Sequence, residues 1–331
     1  MTAAANKQAK HELYCALETA FGPKINDYLN DPMVTEIYIN PDRTLWVDRL
    51  DEGRINTTLK IDPGKSNQII KLISGNAGKI ISGDFPELAT EIKALNCRCQ
   101  AVVPPLVKSP IFLIRKHSRK IFTMDDYVDR GTLTEKQRKF LIECIKERKN
   151  ILVVGSTGTG KTTFVNALLL EIATQTPKHR LAILEDTPEL QCRAEDYFQL
   201  ETKKDRDPAK SLTMNDLLFI TMRLSPTRII VGEIRDGAAL TLLKAWNTGH
   251  PGGICTTHAD SAFKGLRRLE MLTKEAIPNG DFREEIAEAV NIVVSLNLVP
   301  EDDKIVRKVE EIVIVNGWDS ERKQYSYETF K

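Results

Sequence analysis

The 331-residue sequence predicts an α/β protein in two domains: a smaller α+β domain at residues 1–118, a connector at 119–132, and a larger domain of alternating strands and helices at 133–331. Three observations predict it. The apolar run Ile151-Leu152-Val153-Val154 passes through Gly155-Ser156-Thr157-Gly158-Thr159-Gly160-Lys161-Thr162 into a glycine-free apolar segment, Thr163 to Ala173, which reads as strand, tight loop and helix. From Leu181 to Lys274, short apolar runs alternate with stretches of helical period. Between Glu36 and Lys116 the pattern is mostly that of short strands joined by turns.

Composition bounds the function. With 41% hydrophobic and 28% charged residues the chain is an ordinary globular protein. Lysine and arginine total 47 against 46 acids, a net charge of +1, so there is no global basic field to hold nucleic acid. The longest apolar runs are a handful of residues, far below the ~20 needed to span a bilayer. Met1 to Lys10 are polar and lack the apolar core of a signal peptide, so a cytoplasmic protein is expected. The six cysteines form no CxxC pair and no zinc spacing, which reads as free thiols in a reducing compartment.

Taken in order, residues 9–29 carry Leu13, Ala16, Leu17 and Ala20 at helical spacing, with Gly22-Pro23 as a break. Glu36-Ile37-Tyr38-Ile39 and Leu45-Trp46-Val47 flank Asn40-Pro41-Asp42 as two strands and a turn. A strand near Ile55 to Ile61 and a helix around Ser66 to Ser74 follow, then loop as far as Pro86. Cys97 to Pro105 and Ile111 to Lys116 read as paired strands, each with an arginine, Arg98 and Arg115. Residues 118–132 are polar and are expected to connect the domains. Thr134, with Glu135 and Gln137 behind it, caps a helix to Glu147.

Beyond the glycine-rich loop, strands are expected at Leu181 to Leu184, Tyr197 to Leu200, Arg228 to Gly232 and Gly253 to Thr256. Helices are expected at Met214 to Leu224, Gly237 to Asn247 and Ala262 to Lys274. Ile292 to Leu298 and Val306 to Val315 read as an antiparallel pair closed by Trp318.

The chemistry starts at the loop. Its glycines let successive backbone N–H groups point inward, and the helix that follows adds its positive end, so Gly155 to Thr163 form a cradle for a phosphate chain. Lys161 is placed to reach the β- and γ-phosphates, and the Thr162 hydroxyl to ligate Mg²⁺. Three further clusters fall at strand ends, where an open α/β sheet puts its ligands. Glu185, Asp186 and Glu189 can hold Mg²⁺ through water or take a proton from an attacking water. Arg228 to Val231 is an apolar strand ending in Gly232-Glu233; a glutamate where many such enzymes have aspartate favours polarising water over direct metal ligation. His258 follows the strand after Gly252-Gly253 and is placed to sense the γ-phosphate. Together they point to hydrolysis of a nucleoside triphosphate; no ribose-binding acid follows a GxGxxG, which disfavours dinucleotide redox chemistry. Such a reaction also needs a cation opposite the lysine, for which Arg98 and Arg115 are the candidates.

These residues resemble those of the secretion-superfamily ATPases, specifically the TrbB-type conjugative transfer ATPases of type IV secretion systems. The resemblance runs over most of the chain and is most specific at Leu243-Lys244-Ala245-Trp246-Asn247-Thr248-Gly249-His250-Pro251-Gly252-Gly253. Glu185 to Glu189 match the family's aspartate box, Gly232-Glu233-Ile234-Arg235-Asp236 its second nucleotide motif, and Thr257-His258-Ala259 its histidine box; Asp260 stands where the family usually has asparagine. The resemblance implies a RecA-like phosphate-loop domain at the C-terminal side, a hexameric ring, nucleotide between the domains, and first-domain arginines matching Arg98 and Arg115 on the γ-phosphate. It further implies a ring at the cytoplasmic face of the inner membrane, working with other type IV secretion components in pilus assembly or substrate transfer. Type II secretion and pilus extension motors usually carry a tetracysteine module after the second nucleotide motif, where only Cys255 stands here. The alternatives are a pilus or type II secretion motor, a RecA-like nucleic-acid translocase, disfavoured by the near-zero charge and the lack of aromatics among basic residues, and a nucleotide-gated platform with negligible turnover.

Overall fold

The structure, a computed structural model, describes residues 3–49, 52–92, 94–116, 121–203, 205, 207–301 and 304–330. The chain divides into two compact units, Met1–Lys120 and Ile121–Lys331.

In the first unit a helical stretch, α1 (Ala3–Asn30), is interrupted at Gly22, whose φ of 74° and ψ of 174° turn the chain ahead of Pro23. There follow β1 (Val34–Ile39), β2 (Thr44–Arg49), β3 (Gly53–Lys60), α2 (Pro63–Asn76), β4 (Glu87–Ile92), β5 (Cys97–Val102) and β6 (Ile111–Lys116). The six strands form an antiparallel sheet in the order β3-β2-β1-β6-β5-β4. Asp62 caps α2 by accepting from the Gly64 amide at 2.8 Å, and Pro63 occupies the first helical position, where a missing N–H costs nothing. Its apolar stripe, Ile69, Ile70 and Ile73, packs with Leu17, Phe21 and Ile25 of α1 against Ile37, Leu45, Val47 and Ile114 of the sheet. β4 had no counterpart in the sequence reading, because Glu87–Ile92 alternates weakly and carries two glutamates.

The second unit opens with α3 (Met124–Asp129) and α4 (Glu135–Lys146). Each has a reciprocal capping box, Thr123 with Asp126 and Thr134 with Gln137, worth about 1 kcal/mol apiece. α3 corrects the expected connector: Phe122, Met124 and Tyr127 are buried in the second unit's core, so the chain is already folded there, while residues 118–120 lie outside the described residues. Tyr127 packs edge-on against Phe164 of the helix after the glycine-rich loop, with ring centroids 5.2 Å apart.

Then come β7 (Ile151–Val154), α5 (Lys161–Gln175), β8 (Leu181–Glu185), β9 (Tyr197–Glu201), α6 (Met214–Met222), β10 (Arg228–Val231), α7 (Ala238–Asn247), β11 (Ile254–Thr257), α8 (Ala262–Ala276), α9 (Arg283–Ala289), β12 (Ile292–Glu301), β13 (Lys304–Asp319) and β14 (Gln324–Thr329). The sheet order is β14-β13-β12-β7-β11-β10-β8-β9, parallel from β12 to β9 and antiparallel at the β13 and β14 end. Every residue of β7, β8, β10 and β11 is buried, as expected of parallel strands covered on both faces, which explains the apolar runs Ile151–Val154, Leu181–Leu184 and Ile229–Val231. Alternate residues serve opposite cores: Leu152 and Val154 pack with α7 and α8, and Ile151 and Val153 with α4 and α5. The expected antiparallel pair near the end is β12 and β13, and Trp318 meets Tyr325 of β14 edge-on at 5.0 Å.

Fully buried Arg228 fixes the other end of β10. Its guanidinium donates to the carbonyls of Ile145 (2.7 Å) and Gly252 (2.9 Å) and to His179 Nδ1 (3.0 Å). Burial, with Arg148 nearby, pushes it down to about 10. No helix among the described residues is long and apolar enough to cross a membrane.

Candidate active site

Four adjacent parallel strands, in the order β7-β11-β10-β8, end on the same edge of the sheet, and each delivers one sequence-predicted element there. The glycine-rich loop leaves β7, His258 follows β11, Glu233 follows β10, and Glu185 ends β8. Chain order scatters these groups over more than a hundred residues; parallel pairing brings them side by side.

The loop has the backbone a phosphate cradle requires. Gly158 (φ 81°) and Gly160 (φ 93°) lie in the left-handed region that favours glycine. A Cβ on Gly155 would collide with the Leu296 carbonyl and, at 2.5 Å, the Thr159 hydroxyl. The amides of Thr157, Gly158 and Gly160 donate to no acceptor among the described residues, and α5 presents the free N–H groups of its first turn. These unspent donors fit a polyphosphate. Ser156, Thr157 and Gly158 are exposed, Thr162 and Thr163 half-buried, and Thr159 and Lys161 buried.

Lys161 Nζ donates to the carbonyls of Gly155 (2.8 Å) and Ser156 (3.0 Å) and lies 3.2 Å from His258 Nδ1. Burial lowers its pKa, opposed by the charge of Glu233. On the far side of the imidazole, His258 Nε2 is 3.1 Å from Glu233 Oε1. An ammonium has only donors to offer and a carboxylate only acceptors. Nδ1 thus faces the Lys161 ammonium, and Glu233 Oε1, although 3.1 Å from Nε2, accepts no hydrogen bond among the described residues. Glu233 Oε2 accepts from Arg235 Nη2 at 2.7 Å. Burial works to raise the Glu233 pKa, but Arg235 first, then His258 and Lys161, outweigh it and hold the carboxylate below its ordinary value.

Arg235 was not singled out in the sequence, although it sits two residues after Glu233. It lies in the field of Asp186 and Glu189 as well as of Glu233. The two acidic clusters therefore share one cation.

The two candidate bases separate. Glu185 is 5% exposed and its Oε1 accepts from the amides of Glu189 (2.8 Å) and Leu190 (3.0 Å), beneath Gly232, where a Cβ would sit 2.9 Å from Glu185 Cγ. It fastens its own loop. Glu189 is half-buried on that loop, near Arg235. Asp260, the departure noted in the sequence, accepts from the loop's Ser156 hydroxyl at 3.1 Å and from Lys264 at 3.1 Å.

Arg98 and Arg115 lie in the first unit's sheet as cross-strand partners on β5 and β6, so they share a face. Arg115 Nε donates to Glu36 Oε1 at 2.7 Å, across the adjacent β1.

Known proteins agree with this architecture. The type II/IV secretion system protein family matches residues 86–327. The conjugal transfer protein TrbB of Rhizobium radiobacter is 40% identical over 308 residues, 91% of this chain and 90% of that protein. The type IV secretion system protein VirB11 of Bartonella henselae is 28% identical, covering 79% of this chain and 82% of that one. Among solved structures, the ATPase DotB of Legionella pneumophila has the same fold, with a TM-score of 0.64 at 19% identity over 86% of this chain and 78% of that chain. The chain belongs to the type II/IV secretion system protein family, as a TrbB-type secretion ATPase.

Proposed function

We propose that the chain hydrolyses ATP with Mg²⁺ as a homo-hexamer at the cytoplasmic face of the inner membrane, driving pilus assembly or substrate translocation in conjugative transfer alongside other type IV secretion components. The observation that carries the reading is the row Lys161, His258, Glu233 and Arg235, each side chain within 3.2 Å of the next, beside a loop whose amides are unspent.

In this reading Gly155 to Thr163 bind the phosphates through backbone donors, and Lys161 leaves its loop carbonyls to meet the terminal phosphates. The Thr162 hydroxyl, which has no partner among the described residues, and Glu233, directly or through water, would hold Mg²⁺. Bound there, the ion neutralises charge that builds on the phosphate oxygens. Glu189 accepts the proton of the attacking water, while Glu185 keeps the loop in place. His258 links Lys161 to Glu233, so the arrival of a terminal phosphate at the lysine is felt by the carboxylate. Arg98 and Arg115 supply the remaining positive charge; that they are neighbours on one sheet face supports a joint role.

Steady-state phosphate release by the purified protein tests this. Lys161→Ala should abolish turnover and leave the fold intact by circular dichroism; unchanged release from the mutant would remove the mechanism.

A further inference from the structure

Within the second unit, the strand-end groups assigned to the terminal phosphate, His258, Glu233 and Glu189, follow β11, β10 and β8, all on one side of β7. The other side is β12 and β13. A nucleoside triphosphate carries its terminal phosphate at one end and its base at the other, so a nucleotide whose γ-phosphate meets His258 and Glu233 extends its ribose and base towards β12 and β13. β12 pairs with β7 from Ile292↔Ile151 to Ser295↔Val154 and then continues to Glu301, past the end of its neighbour. The hairpin thus projects beside the phosphate loop.

On that hairpin, Arg307 Nε donates to the Gly158 carbonyl at 3.3 Å, and its Cδ lies 3.6 Å from the position a Cβ on Gly160 would take. Its terminal nitrogens have no partner among the described residues, and the side chain is exposed. Its cross-strand partner is Leu298, an apolar residue 43% exposed. Two pairs further in, Leu296 and Val309 are buried in the core that contains α5, so Arg307 and Leu298 share the face of the sheet on which the loop's helix packs.

We propose that Arg307 and Leu298 form the seat of the nucleotide base. An arginine tethered to the loop by Nε keeps a planar, weakly hydrated guanidinium free to lie against an aromatic ring, and an exposed leucine beside it covers ring surface that water would otherwise meet. Such a seat reads the face of the ring, so it favours purines over pyrimidines without separating adenine from guanine. The proposal rests on the nucleotide reading above.

Calorimetric titration with ADP and with inorganic pyrophosphate, both with Mg²⁺, tests it. The wild type binds ADP more tightly than pyrophosphate. Arg307→Ala narrows that preference by roughly three- to tenfold, the scale of a cation–ring contact, and leaves pyrophosphate affinity in place. Leu298→Ser narrows it in the same direction and carries the test if Arg307→Ala does not fold. Equal weakening for both ligands would make Arg307 a prop for Gly158 and overturn the proposal, as would an unchanged preference in both variants. A wild type that binds neither ligand refutes the nucleotide reading instead.

Discussion

Lys161 Nζ and His258 Nδ1 stand 3.2 Å apart, with the imidazole oriented so that its other nitrogen meets Glu233. The lysine donates to its own loop carbonyls and faces an imidazole whose far side lies beside the second nucleotide strand. Removing the imidazole should spare binding, since the amide donors remain, and uncouple the carboxylate. His258→Ala is expected to lower kcat by about a hundredfold while nucleotide affinity changes by less than about threefold, in line with other preorganised electrostatic groups. Phosphate release beside equilibrium titration checks it; parallel losses in both would make His258 a binding residue.

Glu185 and Glu189 should behave differently although they are four residues apart. Glu185→Ala leaves two loop amides without their acceptor in a buried place and is expected to cost about 1 to 3 kcal/mol of stability. Glu189→Gln keeps the loop and removes the base, so it should abolish turnover with the melting temperature unmoved. Thermal unfolding and phosphate release on the two variants separate these roles. A Glu185→Ala protein as stable as wild type would contradict the loop-fastening role.

How much of this was legible in the sequence depends on what kind of information each residue carries. The phosphate loop was readable because glycine spacing specifies backbone conformation locally, and the strand-end positions of Glu233 and His258 followed from apolar runs that must be buried. The different surroundings of Glu185 and Glu189 were not, because they turn on which amides face a carboxylate across a loop. α3 was hidden by polar letters around Phe122, Met124 and Tyr127, whose burial is decided by α5. Arg307 is 149 residues from Gly158, and only the pairing of β12 with β7 brings it there.

Asp260 puts a carboxylate where the phosphate loop needs positive potential. Its hydrogen bonds from Lys264 and Ser156 hold its pKa below the ordinary value, so it is ionised at neutral pH. Asp260→Asn keeps an acceptor for Ser156 and removes the charge. ATP affinity is expected to rise by about two- to threefold at low salt and to converge on wild type at high salt, where exposed charges are screened. Titration at two ionic strengths decides it; weaker binding by the asparagine variant would show that the carboxylate is required at the loop.

Lys161 sets a limit on the alkaline side. Burial holds its pKa below the usual 10.5 in the free protein, against the pull of Glu233. A bound phosphate chain favours the ammonium, so binding raises that pKa and takes up a proton wherever the free lysine is partly neutral. Affinity is therefore expected to fall as pH rises through the lowered free-state value, earlier than an unperturbed lysine would allow. Below that value the lysine is charged in both states and the dependence vanishes. Calorimetry in buffers of different ionisation enthalpy measures the uptake directly. Proton uptake that is absent in Lys161→Arg, whose guanidinium stays charged, assigns it to this lysine; the same uptake in the arginine variant would assign it elsewhere.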